Sequence, residues 1–150
     1  MAADDRHGAG PPGLNGTPTS LRAVREGAEA SIAAGPWGPS EARAIVTRWL
    51  DGHVSAAVLG DACLVVSELV TNSVVHAEVG VGDPVRVRAV LAAGVLRLEV
   101  GDDGRGGNAA QRRPDRDGGG GFGLHIVASI ASRWGVGNGD GTRVWCELEA

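Results

Sequence analysis

From residue 56 to residue 77 the chain is apolar on nearly every side. Ala62, Leu64, Val65, Val66, Leu69, Val70, Val74 and Val75 fall around the whole circumference of a helix predicted to start near Ser55 and end at His76 or Ala77. A helix hydrophobic all round belongs in the centre of a domain. Before it, "EARAIVTRWLDGH" sets Ala44, Ile45 and Trp49, with Ala42 and Leu50, on one stripe. That spacing predicts an amphipathic helix, capped by Ser40 and stopped by Asp51-Gly52. "EASIAA" predicts a short strand closed by the turn signals of "GPWGPS".

Past the central helix the period changes from that of a helix to two. "VGVGDP" reads as a turn, and "VRVRAVLA" and "GVLRLEVGDD" alternate inward and outward residues on either side of a short Ala-Gly connection, which predicts a hairpin. "GDDGRGGNAAQRRPDRDGGGG" has almost no apolar content and reads as loop. A third helix, "FGLHIVASIASRW", carries Leu124, Val127, Ile130 and Ala131 on one face, and "GTRVWCELE" closes the chain as a strand. The order helix, helix, strand, strand, loop, helix, strand, strand lacks βαβ alternation. It predicts an α+β fold, a two-layer sandwich with helices on one face of a mainly antiparallel sheet. The Pro-, Gly-, Ser- and Thr-rich residues 1–27 are expected to be a disordered tail, and residues 28–150 one domain.

Composition narrows the chemistry. All 14 basic residues are arginine, so a phosphate site built on lysine, such as the P-loop, is excluded. A net charge of −4 gives no support for nucleic-acid binding. Cys63 and Cys146 have neither metal-like nor CxxC spacing, which suits free thiols in a reducing compartment. No stretch is read as apolar and long enough to cross a bilayer, and the N-terminus has no signal-peptide core, so a cytoplasmic location is expected. Trp37, Trp49, Trp134 and Trp145 are assigned mostly to core packing.

Three stretches carry candidate chemistry. In "SELVTNSVVH", Glu68, Asn72 and His76 recur at steps of four and so share one narrow helix face. Burying a carboxylate and an amide without partners is costly, so the stripe faces a cavity, a metal or a polar network, or else plain solvent. In "VGDDGRGG", a strand ends at Asp102 and glycines follow at Gly104 and Gly106. Either the backbone there approaches a ligand whose amine Asp102 accepts, or this is an ordinary Asp-Gly turn. In "GGGGFGLHIV", a glycine run leads into a helix N-terminus, which makes an anion site of exposed backbone N–H groups. The alternative is a flexible linker, out of place between a loop and a buried helix.

Taken in order, ExxxN on a helix, a strand ending DxGxG, a loop, GxGL opening a helix and GT on a strand resemble the GHKL (Bergerat) ATP-binding fold of histidine-kinase catalytic domains and gyrase. Within it, "VVSELVTNSVVHA", "LEVGDDGRGG", "GGFGLHIVASIASRWGV" and "GTRVWCEL" look like the small anti-sigma-factor serine/threonine kinases, over about residues 40 to 149. The resemblance implies Mg-ATP binding, with Asn72 as the Mg²⁺ ligand and Glu68 as general base. It further implies Asp102 as acceptor of the adenine amine, Gly104 and Gly106 beneath the base, and Thr142 supporting Asp102. Gly119, Gly121, Gly123 and Leu124 match the phosphate-binding glycine box. Arg112, Arg113 and Arg116 of a short lid could neutralise phosphate charge, unless they form a solvated loop face. His76 is expected to be structural. Two positions depart from the pattern: Phe122 stands where many relatives have a basic residue, and Arg105 where proline is frequent.

The implied partners are a sigma factor and a STAS-type anti-anti-sigma protein, the latter phosphorylated on serine, with the kinase a homodimer. Two alternatives stay open. One is an ATP-binding module that sequesters its partner without phosphotransfer. The other is a detached histidine-kinase catalytic domain, which normally carries a helix pair with the acceptor histidine; no room for that pair is found before residue 40.

Overall fold

The computed structural model describes residues 27–76, 80–102, 122–139 and 141–150. The expected tail at 1–27 falls almost wholly outside them. In chain order the elements are β1 (Ala28–Ala33), α1 (Gly38–Leu50), α2 (Ala56–His76), β2 (Pro84–Ala92), β3 (Val95–Asp102), α3 (Phe122–Ile130), β4 (Arg133–Gly139) and β5 (Gly141–Glu149). The strands form one sheet in the order β1-β2-β3-β5-β4, antiparallel throughout. The helices form the second layer: α2 lies over β3, β5 and β2, with α1 and α3 packed on either side of it.

Period-two patterning decides which face of the sheet the helices cover. Val85, Val87, Ala89, Leu96, Leu98, Val100, Val144, Cys146 and Leu148 point into the helix layer, each 7% exposed or less. Burial pushes the Cys146 thiol up to about 12, so it stays protonated and packs as a small apolar group. The β2–β3 turn is two residues long, and both take positive φ (Ala93 49°, Gly94 74°), the twist a tight hairpin needs. Ser55 Oγ caps α2 by accepting from Val58 N–H at 3.2 Å.

Several expectations are corrected. The first helix begins at Gly38, with Trp37 rather than Ser40 at its N-cap; Ser40 lies inside the first turn and donates to the Trp37 carbonyl at 2.9 Å. The entry is set by the turn between β1 and α1, tied to the turn before β2 through Ala34 N–H to Asp83 O and Gly82 N–H to Ala34 O, both 2.8 Å. Ala44 is exposed, and Val46 takes its place in the buried stripe beside Ala42, Ile45, Trp49 and Leu50. The third helix stops at Ile130. Arg133 and Trp134 leave it to pair with Glu147 and Cys146 of β5, because the sheet edge takes up their backbone. Of the tryptophans, Trp49 is buried and Trp134 packs partly against the core, but Trp37 is 73% exposed. The bilayer expectation also needs amending: Ala56–Ser73 has a mean hydropathy of 1.3 over 18 residues, long and apolar enough to span. In this fold that apolarity serves the core, since Ala62, Val65, Val66, Leu69 and Val70 are buried against the sheet and the flanking helices.

The outer face of the sheet carries charge, and no helix of the described residues packs on it. Arg97 bonds Glu99 at 2.8 Å and Glu147 at 3.0 Å; Arg133 approaches Glu147 at 3.6 Å and Arg88 approaches Glu99 at 3.8 Å. The Arg97 guanidinium lies 4.0 Å from the centroid of the Trp145 ring, a cation–π contact. On the next strand, Gly135 faces the same indole so closely that an added Cβ would stand 2.9 Å from Trp145 Cζ2.

Two predictions follow from this packing. Gly135→Ala forces the indole away from β4, and is expected to cost about 1–3 kcal/mol, read as a lowered melting temperature; an unchanged transition would show that the indole moves freely. Glu41, in the first turn of α1, is 6% exposed, and among the described residues its Oε1 has no hydrogen-bond partner. Burial pushes its carboxyl above the ordinary value. A raised folded-state value means that the unfolded chain releases this proton first, so the penalty is absent in acid and grows as pH rises past the ordinary carboxylate range. Glu41→Gln should therefore stabilise by about 1 kcal/mol at neutral pH, and the difference from wild type should vanish near pH 4 in denaturant titrations.

Candidate functional site

The connectivity gathers the candidate side chains at one end of the sheet. β3 ends at Asp102, which lies opposite Val85 at the start of β2 and Thr142 at the start of β5. α1 and α2 form an antiparallel hairpin: Arg43 donates to Ser67 Oγ at 2.9 Å, Thr47 Oγ1 lies 3.3 Å from Cys63 Sγ, and a Cβ on Gly38 would meet Val70. α1 enters from the end of β1 beside Val85, so the C-terminal turns of α2 lie at the same end. α3 leads into β4, whose first residue pairs with Glu147 at the far end, so α3 begins near Asp102. A helix C-terminus, a helix N-terminus and the ends of two central strands therefore converge, the kind of place where α/β layers bind ligands.

Asp102 continues the inward row Leu96, Leu98, Val100 and is 4% exposed. A carboxylate closing an apolar row is suited to accept from an amine donor brought by a ligand. Glu68 and Asn72 are half-buried, one turn apart on α2, on the side turned away from the α1 contacts of Cys63 and Ser67. The stripe therefore sits beside the layer, neither sealed in the core nor fully in solvent. Leu124 is 7% exposed and anchors the start of α3 in the core.

Of the residues singled out from the sequence, Glu68 and Asn72 lie on α2, Asp102 ends β3 opposite Thr142 of β5, and Gly123 and Leu124 lie in the first turn of α3. Phe122 opens α3 and His76 closes α2; their side chains, like that of Thr142, lie outside the described ones. Gly104, Gly106, Gly119 and Gly121, and Arg105, Arg112, Arg113 and Arg116, lie outside the described residues. Among the described residues no group of three or more His, Cys, Asp or Glu could hold a metal ion. An amide-anchored Mg²⁺ completed by phosphates and water needs no such cage, and Asn72 with the neighbouring Glu68 carboxylate supplies hard oxygen donors that fit it. Sequence reasoning overlooked Ser73. It is 5% exposed on the sheet side of α2, and the available signal was its place on the face of Val66 and Leu69.

Comparison with known proteins agrees with this geometry. The blue-light activated histidine kinase of Erythrobacter litoralis EL346 is similar in structure, with 25% sequence identity and a TM-score of 0.51, over 86% of this chain and 50% of that one. The chain thus spans about half the length of that kinase. No curated protein matches the chain at a significant level. The family described as "Histidine kinase-like ATPase domain" matches residues 14–147. With almost the whole chain matched, and with an antiparallel sheet backed by helices on one face as the GHKL architecture requires, this protein belongs to the histidine kinase-like ATPase domain family.

Proposed function

We propose that this protein is an anti-sigma-type serine/threonine protein kinase that uses Mg-ATP to phosphorylate a serine on a small STAS-type antagonist, and so regulates a sigma factor. What supports the proposal is the family match together with Glu68 and Asn72 on one half-buried face of α2, which packs on β3, the strand that ends in the buried Asp102. Asp102 accepts the adenine amine. The Asn72 amide oxygen holds Mg²⁺, which supplies charge neutralisation for the phosphates. Glu68, one turn earlier on α2, takes the proton of the attacking serine hydroxyl. The serine oxygen bonds to the γ-phosphorus as the bond from that phosphorus to the bridging oxygen breaks, and ADP leaves with the bond electrons. Little covalent chemistry falls to the protein, so positioning and electrostatics carry the rate. The kinase works as a homodimer in the cytoplasm and holds its sigma factor on a surface away from the nucleotide.

A second reading, a module that binds ATP and sequesters a partner without transfer, separates cleanly in one experiment. The protein is incubated with labelled ATP, Mg²⁺ and a purified STAS-domain protein from the same genome. Phosphoserine should appear on the partner, and Glu68→Ala should slow its formation by about a hundredfold or more. ATP binding with no phosphoserine would favour the module. Asp102→Asn keeps the shape but loses the charge-assisted acceptor, and should weaken ATP binding about ten- to a hundredfold by calorimetry. Unaltered affinity would remove Asp102 from the base site.

A further inference from the structure

One face of α2 stays open to water, and Glu68 lies on it. Leu64 stands one turn before Glu68, and Gly60 and Asp61 one turn before Leu64, so the four share a single stripe. Gly60, Asp61 and Leu64 are exposed and Glu68 is half-buried. The other sides of these turns are taken up by the fold: Cys63 and Ser67 meet Thr47 and Arg43 of α1, and Ala62, Val65, Val66 and Leu69 are 1% exposed or less. The apolar stretch Ala56–Ser73 is only 39% buried, so the core accounts for less than half of it.

Three features of the stripe serve nothing within the described fold. Leu64 is 43% exposed, the one exposed large apolar side chain that lies in a helix among the described residues. Asp61 is an exposed acid with no ion pair among them. Gly60 weakens a helix interior relative to alanine, yet an added Cβ there would meet nothing within 4 Å, so no neighbour in the fold requires a glycine.

We infer that this stripe is the docking face for the serine-bearing segment of the acceptor protein. The inference rests on the kinase reading, in which Glu68 takes the proton of that serine. Along the helix Leu64 lies about 6 Å from Glu68 and Asp61 about 10 Å. A segment that brings its serine to Glu68 and runs toward the start of α2 crosses Leu64, then Asp61, beside the gap at Gly60. In an extended chain, at about 3.3 Å per residue, an apolar side chain two positions from the serine covers Leu64, and an arginine or lysine beyond it meets Asp61. An acidic residue there would be repelled, so Asp61 selects among serine-bearing segments by charge. Gly60 lets the segment approach the helix closely.

The test is steady-state phosphotransfer by the full chain to a purified STAS-domain protein, with acceptor and ATP varied separately. Gly60→Gln adds helix propensity and should leave the melting temperature unchanged or slightly raised. It should nevertheless raise KM for the acceptor about three- to tenfold, with kcat and KM for ATP unchanged. Leu64→Gln should do the same to the acceptor KM. Asp61→Asn should raise it about two- to fivefold at low salt, an effect that fades as salt is added. An unaltered acceptor KM in Gly60→Gln and Leu64→Gln would overturn the docking face, as would a fall in kcat or a rise in KM for ATP in its place. If folded wild type forms no phosphoserine, the kinase reading fails, and this inference with it.

Discussion

Burial of α2 is the constraint on which the other features depend. Ala62, Val65, Val66, Leu69 and Val70 are 1% exposed or less, and removing each such side chain from water is worth roughly 1.5–3 kcal/mol for the larger ones. So apolar a helix must be covered on several sides, and the cover is what the rest of the chain supplies: the sheet beneath, α1 on one flank and α3 on the other. Once α2 is held there, its angular positions are no longer free. The Glu68–Asn72 side turns away from α1, and the row that ends in Ser73 turns to the sheet. The polar groups of the site are thus oriented by the apolar packing of the same turns of α2, through Val65, Val66, Leu69 and Val70.

The sheet solves a different problem on each face. Toward the helices it is apolar and densely filled. Away from them, Arg97, Glu99, Glu147, Arg133 and Arg88 form a connected lattice of ion pairs, and Trp145 is covered by Arg97. Partly exposed pairs of this kind, with Glu99 and Glu147 at 13% and 18% side-chain exposure, contribute modestly one by one. Their geometry across four adjacent strands, β2, β3, β5 and β4, gives this face a polar surface, and no helix of the described residues covers it. The Trp145 indole on that face can approach β4 so closely because the neighbouring residue there is Gly135.

Much of this was legible in the sequence because it depends on local periods. The hairpin of β2 and β3 followed from alternation and a two-residue connection. The central helix followed from its all-round apolar character, and its start near Ser55 agrees with the structure, where that residue turns out to be the cap. The steps of four in Glu68, Asn72 and His76 put the first two on one face whatever surrounded them. Element ends were harder, since they are settled by partners remote in sequence. "SRW" is compatible with a helix locally, yet Arg133 and Trp134 pair with Glu147 and Cys146. Ser40 is a good cap by type, yet the turn at Trp37, bound to the turn at Asp83, starts the helix earlier. Ser73 was hidden for a related reason: a serine among valines carries no period of its own, and its meaning depends on which strand lies opposite.

By itself, the sequence determined the layer architecture, the apolar rows and the chemical types available to a site, because side-chain period and residue chemistry are properties of neighbours along the chain. Tertiary structure alone decided which strands and helices pack together, that Asp102 and Ser73 are buried at the ends of their rows, and that Glu41 Oε1 is enclosed with no hydrogen-bond partner among the described residues. Those facts arise from strand order and helix crossing, which bring together groups tens of residues apart and set their exposure to water.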